Sequence, residues 1–151
     1  MKRDIAGIVT NIVNKYQTRD PEEIAAEMGI KVTFEDLGRV NGYYNTSLGN
    51  KYIHINHRLK MNDKKRKLTI AHELGHVILH DDLNARFMAE HTYFSINKYE
   101  NEANKFAVHL LIPDNELLEY QREGYTTQQI ANCYHLPQEF INLRIYGTMD
   151  C

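Results

Sequence analysis

Ile70-Ala71-His72-Glu73-Leu74-Gly75-His76-Val77-Ile78-Leu79-His80 places two histidines four residues apart with a glutamate beside the first. At about 100° per residue on a helix, Ile70, Ala71, Leu74, Val77 and Ile78 gather on one arc. Thr69, His72, Glu73, His76 and His80 gather on the other. The spacing therefore predicts a helix from about Lys64 to His80, with an apolar side for a core and a histidine side for a cleft. H-E-x-x-H signals metal chemistry in that helical context, and chance supplies such a motif in roughly three chains of this composition in a hundred. Imidazoles one turn apart can offer neutral nitrogens to a single Zn²⁺ at about 2.0–2.1 Å each. Glu73 is angled to reach a water instead of the metal. A histidine taken singly is more often a surface or hydrogen-bonded core residue, so the pattern carries the inference and no one residue does.

Upstream, Ile5, Ile8, Val9, Ile12, Val13 and Tyr16 recur at helical spacing over residues 4–16. Asp20-Pro21-Glu22-Glu23 starts a second helix that Gly29 ends. Lys31–Glu35 and Lys51–Asn56 alternate as strands, Gly42-Tyr43-Tyr44 is a shorter one, and Gly49-Asn50 supplies a turn. Three short strands with short connections predict an α+β fold built on a small antiparallel three-stranded sheet with helices on one face. The basic run Lys60–Lys67 reads as a solvated first turn. Residues 81–97 read as a loop holding a short strand near Thr92-Tyr93-Phe94-Ser95. Helices follow over Lys98–Leu111 and Asn115–Gln121, then over Thr127–Leu143 with a break at Leu136-Pro137. A single domain over 1–151 is expected, with a core in 1–113 and a helical C-terminal extension in 114–151.

Composition narrows the partners. Of 151 residues, 42% are hydrophobic and 25% charged, which suits one globular domain. Eighteen basic against twenty acidic residues leave a net charge of −2, so no global basic field favours nucleic acid or an anionic membrane. Apolar runs fall far short of a membrane span and the amino terminus lacks a signal-peptide core, so a cytoplasmic protein is expected. Cys133 and Cys151 form no disulfide framework or thiolate metal site.

A catalytic zinc site generally takes three protein ligands and keeps one position open. The stretch Tyr99–Ala107 offers two carboxylates. Glu100, Ala103, Asn104, Ala107 and Leu111 share one helical face, whereas Glu102 falls with Lys105, Phe106 and His109. Ala103 and Ala107 would allow close approach to the histidine helix, which favours Glu100 as third ligand, with Asn104 one turn behind as a hydrogen-bond partner. Glu102 stays in reserve, and a solvated acidic helix start would account for either carboxylate.

The run from Ile70 to His80, together with Glu100-Asn101-Glu102-Ala103-Asn104-Lys105-Phe106-Ala107-Val108-His109-Leu110-Leu111-Ile112-Pro113, closely resembles the ImmA/IrrE family of zinc metallopeptidases. The likeness extends through Thr18–Pro21, Gly42–Tyr44 and Ile53–Asn56, covering about residues 5–113, and is expected to take in the helical tail as well. It departs only at Ile112, where Leu or Met is commoner. The resemblance implies a compact gluzincin-like peptidase holding one zinc per chain, with His72, His76 and Glu100 as ligands and Glu73 as catalytic base. It further implies a phage or mobile-element anti-repressor that cleaves a helix-turn-helix transcriptional repressor, and hence a protein substrate with no nucleic acid or membrane partner. A monomer is the simple expectation.

Under that reading Glu73 accepts the proton of the attacking water and hands it to the leaving amine. His80, His91, Tyr93 and His109 are candidates to support the oxyanion. The strand Tyr52–Asn56 could bind an extended substrate by edge addition, and Tyr43 and Tyr44 could line the cleft. Two alternatives stand beside this one. Thr127–Arg144 resembles a helix-turn-helix, yet with one Arg and one Glu it lacks the cations that phosphate contacts require. A non-catalytic zinc-containing regulatory module would use the same ligands, but it leaves Glu73 without a duty.

Overall fold

The structure, a computed structural model, describes residues 3–80 and 93–148. The chain opens with α1 (Ile5–Tyr16), whose first turn is capped by the Asp4 carboxylate accepting from the Gly7 amide at 3.0 Å. Helix α2 (Pro21–Glu27) starts as its sequence predicts, with Pro21 in the first turn and Asp20 accepting from the Glu22 amide at 2.9 Å. Gly29, at φ +72°, closes it and lets Ile30 N–H return to the Ala25 carbonyl at 2.9 Å.

The three strands are β1 (Lys31–Glu35), β2 (Gly42–Ser47) and β3 (Asn50–Asn56), and the architecture is α+β as expected. Their order is β1-β3-β2, with β2 antiparallel to β3 and β1 parallel to it. The sheet is therefore mixed, which corrects the all-antiparallel expectation. Instead of turning back beside β1, residues 36–41 cross the end of β3 and deliver β2 to its far side. Asn56 holds that crossing. Buried to 2% exposure, it donates from Nδ2 to the carbonyls of Gly38 (2.9 Å) and Val40 (3.0 Å), while its amide donates to Asn41 O at 2.8 Å. The hairpin turns at Leu48-Gly49, both with positive φ, one residue earlier than the sequence suggests. Alternation on β3 sends Ile53 and Ile55 into the core, and a 3₁₀ turn, His57–Leu59, leads away from the sheet.

Helix α3 (Asp63–Leu79) carries the motif and starts where Asn62 accepts from the Lys65 amide. Its basic first turns are not simply solvated. Arg66 pairs with Glu22 at 2.7 Å and Asp63 at 2.8 Å, tying α3 to α2. Helix α4 (Tyr93–Leu111) packs on α3, on α1 and on the last helix. It is helical through Tyr93–Ser95, where a strand was expected, and Thr92 lies outside the described residues. The crossing of α3 and α4 is close because Gly75 faces Ala103. A Cβ at Gly75 would come within 3.0 Å of the Phe106 Cβ and 3.2 Å of the Ala103 backbone. Helices α5 (Asp114–Arg122), α6 (Thr127–Tyr134) and α7 (Gln138–Tyr146) complete the described chain. Two hydrophobic clusters result. One joins α1, α2, β3, α3 and α4, and the other joins the end of α4 to α5, α6 and α7. No helix among the described residues is long and apolar enough to cross a membrane.

Candidate metal centre

Three side chains from α3 and α4 converge on one point. His72 Nε2 lies 3.2 Å from His76 Nε2, and the Glu100 carboxylate reaches both, at 3.0 Å and 2.9 Å. Helical spacing sets the two rings one turn apart, edge to face at 86°, and the Gly75–Ala103 contact brings α4 near enough for Glu100 to join them. Asn104, one turn further along α4, has Oδ1 at 2.7 Å from His72 Nδ1. An amide oxygen accepts, so His72 donates from Nδ1 and keeps a lone pair on Nε2.

The donor set suits a divalent metal. Four tetrahedral ligands at about 2.0–2.1 Å lie about 3.3 Å from one another, close to the 2.9–3.2 Å separations found here. The electrostatics agree. Burial works against a charged His72 ring, but the Glu100 hydrogen bond and the charges of Glu73 and Glu100 outweigh it and raise the His72 pKa. Burial also works to raise the Glu100 pKa, yet hydrogen bonds from His72 and His76 hold it well below the usual carboxylate range. Both shifts describe a place that favours positive charge between the histidines and the carboxylate. Glu73 stays outside the trio. It is buried to 7% exposure, and that burial raises its pKa despite the nearby histidines, the direction a general base needs.

The trio opens on a cleft of about 590 Å³. Glu73, Thr69 and Leu68 form its α3 wall, with Gly42, Tyr43 and Tyr44 of β2 beside them and Phe140 of α7 opposite. Gly42 has no room for a side chain: a Cβ would lie 2.9 Å from His54 O and 3.0 Å from Thr69 Cγ2. The Tyr44 ring stacks on His76 with centroids 5.6 Å apart.

A protein-family model described as the IrrE N-terminal-like domain, a peptidase family, matches residues 25–146. The chain belongs to this family. It is 40% identical over 141 residues to "Uncharacterized immunity region protein 2" of Bacillus phage phi105, covering 93% of this chain and 88% of the relative. It is 31% identical over 134 residues to "Metallopeptidase ImmA" of Bacillus subtilis, covering 85% of this chain and 76% of the relative. Membership makes the chain a metallopeptidase and implies a metal cofactor, for which His72, His76 and Glu100 supply a fitting group. The match runs through α7 and so takes in most of the helical extension that follows residue 113.

Other expected site residues are distributed differently. Tyr43 and Tyr44 do line the cleft. The strand Tyr52–Asn56 cannot add a substrate strand, because β3 is the central strand with neighbours on both sides; β2 is the edge beside the cleft. His80 and His109 do not line the cleft. His91 and the Tyr93 side chain lie outside the described residues. Glu102 bonds to His80, at 3.1 Å, and not to His72 or His76. Asn41, Leu68 and Phe140 also line the cleft without having been singled out in the sequence; Phe140 comes from furthest along the chain, and no local pattern in the C-terminal helices marks it.

Proposed function

We propose that this chain is a cytoplasmic zinc endopeptidase whose ligands are His72, His76 and Glu100 and whose general base is Glu73. Its substrate is a helix-turn-helix transcriptional repressor, and its role is that of a phage or mobile-element anti-repressor. The observation that carries the chemistry is the meeting of two imidazole nitrogens and a carboxylate at about 3 Å beside a buried glutamate in the wall of a cleft. The regulatory role draws support from the phage relative, whose name places it in an immunity region. Zinc held at this site would supply Lewis acidity, acidifying water and polarising a carbonyl. Glu73 takes the proton from water as its oxygen bonds to the peptide carbon. The C–N bond then breaks, and Glu73 passes the proton to the departing nitrogen. Glu100, about 44% exposed at its side chain, borders open space where a substrate segment can enter.

The helix-turn-helix alternative loses ground on one observation. Arg144, the sole arginine of Thr127–Arg144, is about 8% exposed and occupied by the Ile112 carbonyl and Asp114. It is not displayed to phosphate.

The test couples metal content with cleavage. Full-length protein is incubated with zinc and with repressors encoded beside its gene, and products are read by mass spectrometry. The wild type should hold close to one zinc and cut one of them. Glu73→Gln should keep the zinc and the fold while cleavage falls by about 10²–10⁴-fold. Full cleavage by Glu73→Gln would overturn the mechanism.

A further inference from the structure

His76 has a polar neighbour on each ring nitrogen. Its Nε2 faces His72 and Glu100, and its Nδ1 lies 3.0 Å from Nδ1 of His80, one turn further along α3. His80 is 1% exposed, and its Nε2 lies 3.1 Å from Oε1 of Glu102. A carboxylate oxygen can only accept, so a neutral His80 carries its proton on Nε2 and presents a lone pair at Nδ1. That lone pair can sit 3.0 Å from His76 Nδ1 only if His76 donates from there. A neutral His76 protonated at Nδ1 has a bare Nε2, the form a metal requires.

We infer that His80 and Glu102 are positioning residues that hold His76 in its metal-binding tautomer and orientation, an inference that rests on the metal-centre reading given above. Direction runs one way along the chain of contacts: Glu102 fixes the proton of His80, and His80 fixes the proton of His76. The surroundings hold the same arrangement. Arg3 approaches Glu102 at 4.0 Å and also donates to the Leu79 carbonyl. The Tyr99 ring meets His80 edge-on at 4.8 Å, and the Tyr44 hydroxyl donates to the His80 carbonyl at 3.3 Å. A buried imidazole–carboxylate pair is a costly substitute for a leucine at the margin of a hydrophobic core. Orienting a ligand gives this pair a use that packing alone does not. His72 receives the equivalent service from a neutral amide, Asn104. Its partner His76 receives it from a second imidazole backed by a charge.

The experiment measures zinc affinity of the full chain by competition with a chromophoric chelator, with circular dichroism and thermal unfolding of each metal-free variant as fold controls. His80→Phe fills the space but cannot accept from His76, and should weaken zinc binding about 10–100-fold. His80→Asn puts an amide oxygen where Nδ1 stood, so it should restore affinity to within about threefold of wild type. Glu102→Ala should fall between them. A long-range ¹H–¹⁵N spectrum of the zinc-loaded wild type should show His80 protonated at Nε2 and His76 at Nδ1; this readout decides the matter even if His80→Phe does not fold. Wild-type affinity in His80→Phe, an equal loss in His80→Asn, or a proton on His80 Nδ1 would overturn the inference while leaving the metal centre intact. Absence of zinc binding by the wild type would instead overturn the metal centre itself, and this inference with it.

Discussion

The crossing of α3 and α4 and the cluster built from α5, α6 and α7 are both well packed, but they bury different chemistry. At the crossing, Glu73, His76 and His80 are 7%, 5% and 1% exposed among Ile70, Leu74 and Phe106. The C-terminal cluster buries Val108, Ile112, Leu117, Ile130, Ala131, Leu136, Ile141 and Leu143. Buried ionisable groups are costly unless paired, and a chain that concentrates them on one seam is giving up stability there for function. The C-terminal helices supply stability instead, with Phe140 as their one reach into the cleft.

If that division is real, a cavity in the second region should unfold the protein without touching the metal. Ile141 is fully buried, and Ile141→Ala should cost about 2–5 kcal/mol in urea denaturation. Zinc affinity of the folded variant should stay within about twofold of wild type. A tenfold loss of affinity would show that the C-terminal cluster shapes the metal seam, and the two regions would have to be treated as one.

Gly75 tests the seam from the other side. The nearest atoms to an added Cβ, 3.0–3.2 Å away, are the Phe106 Cβ and the Ala103 backbone, which are the least able to give way. Gly75→Ala should therefore push α4 from α3, costing about 1–3 kcal/mol through overpacking. Because Glu100 rides on α4, the same substitution should also weaken zinc binding, which Ile141→Ala should not. Unchanged affinity together with lost stability would mean that Glu100 follows its histidines through side-chain adjustment alone.

How far the sequence reveals this molecule depends on how local each signal is. Helix α3 is legible to within about one residue at each end, because polar and apolar arcs alternate at helical period through all of it. The facing argument on Glu100–Leu111 also separates two carboxylates only two residues apart, and the structure brings them to different histidines. Strand direction is not legible. Whether β1 pairs with β2 or β3 is decided by a loop crossing that a single buried asparagine, Asn56, satisfies. Nor is Phe140: its place in the cleft depends on how α7 docks against α4, and the helical period says nothing of which distant element a face will meet. The relay through His80 is an intermediate case. Its spacing four residues after His76 places it on the right arc, but the contact with Glu102 needed coordinates.

The smallest effect falls between the two regions, at His109 in the last turn of α4. This ring lies outside the cleft, and burial first, then the Arg144 charge, lower its pKa to about 4 against the pull of Asp114. An unfolded histidine titrates near 6.5. Between those values the unfolded chain binds a proton that the folded ring refuses, so this residue's contribution to stability is full above about pH 6.5 and declines as pH falls toward 4. The ring is only partly shielded from water, which reduces the expected effect to about 1 kcal/mol between pH 7 and pH 5. Acidification acts on the rest of the chain as well, so the informative quantity is the difference between wild type and His109→Gln, both free of metal. His109→Gln should lose stability less steeply on acidification, by about that amount in urea titrations, and should bind zinc at pH 7 as the wild type does. Equal acid sensitivity in the two proteins would mean that His109 accepts a proton in the folded state as readily as in the unfolded one. A change in zinc affinity would show instead that the end of α4 is coupled to Glu100, nine residues along the same helix, and that the metal seam extends into the region assigned here to stability.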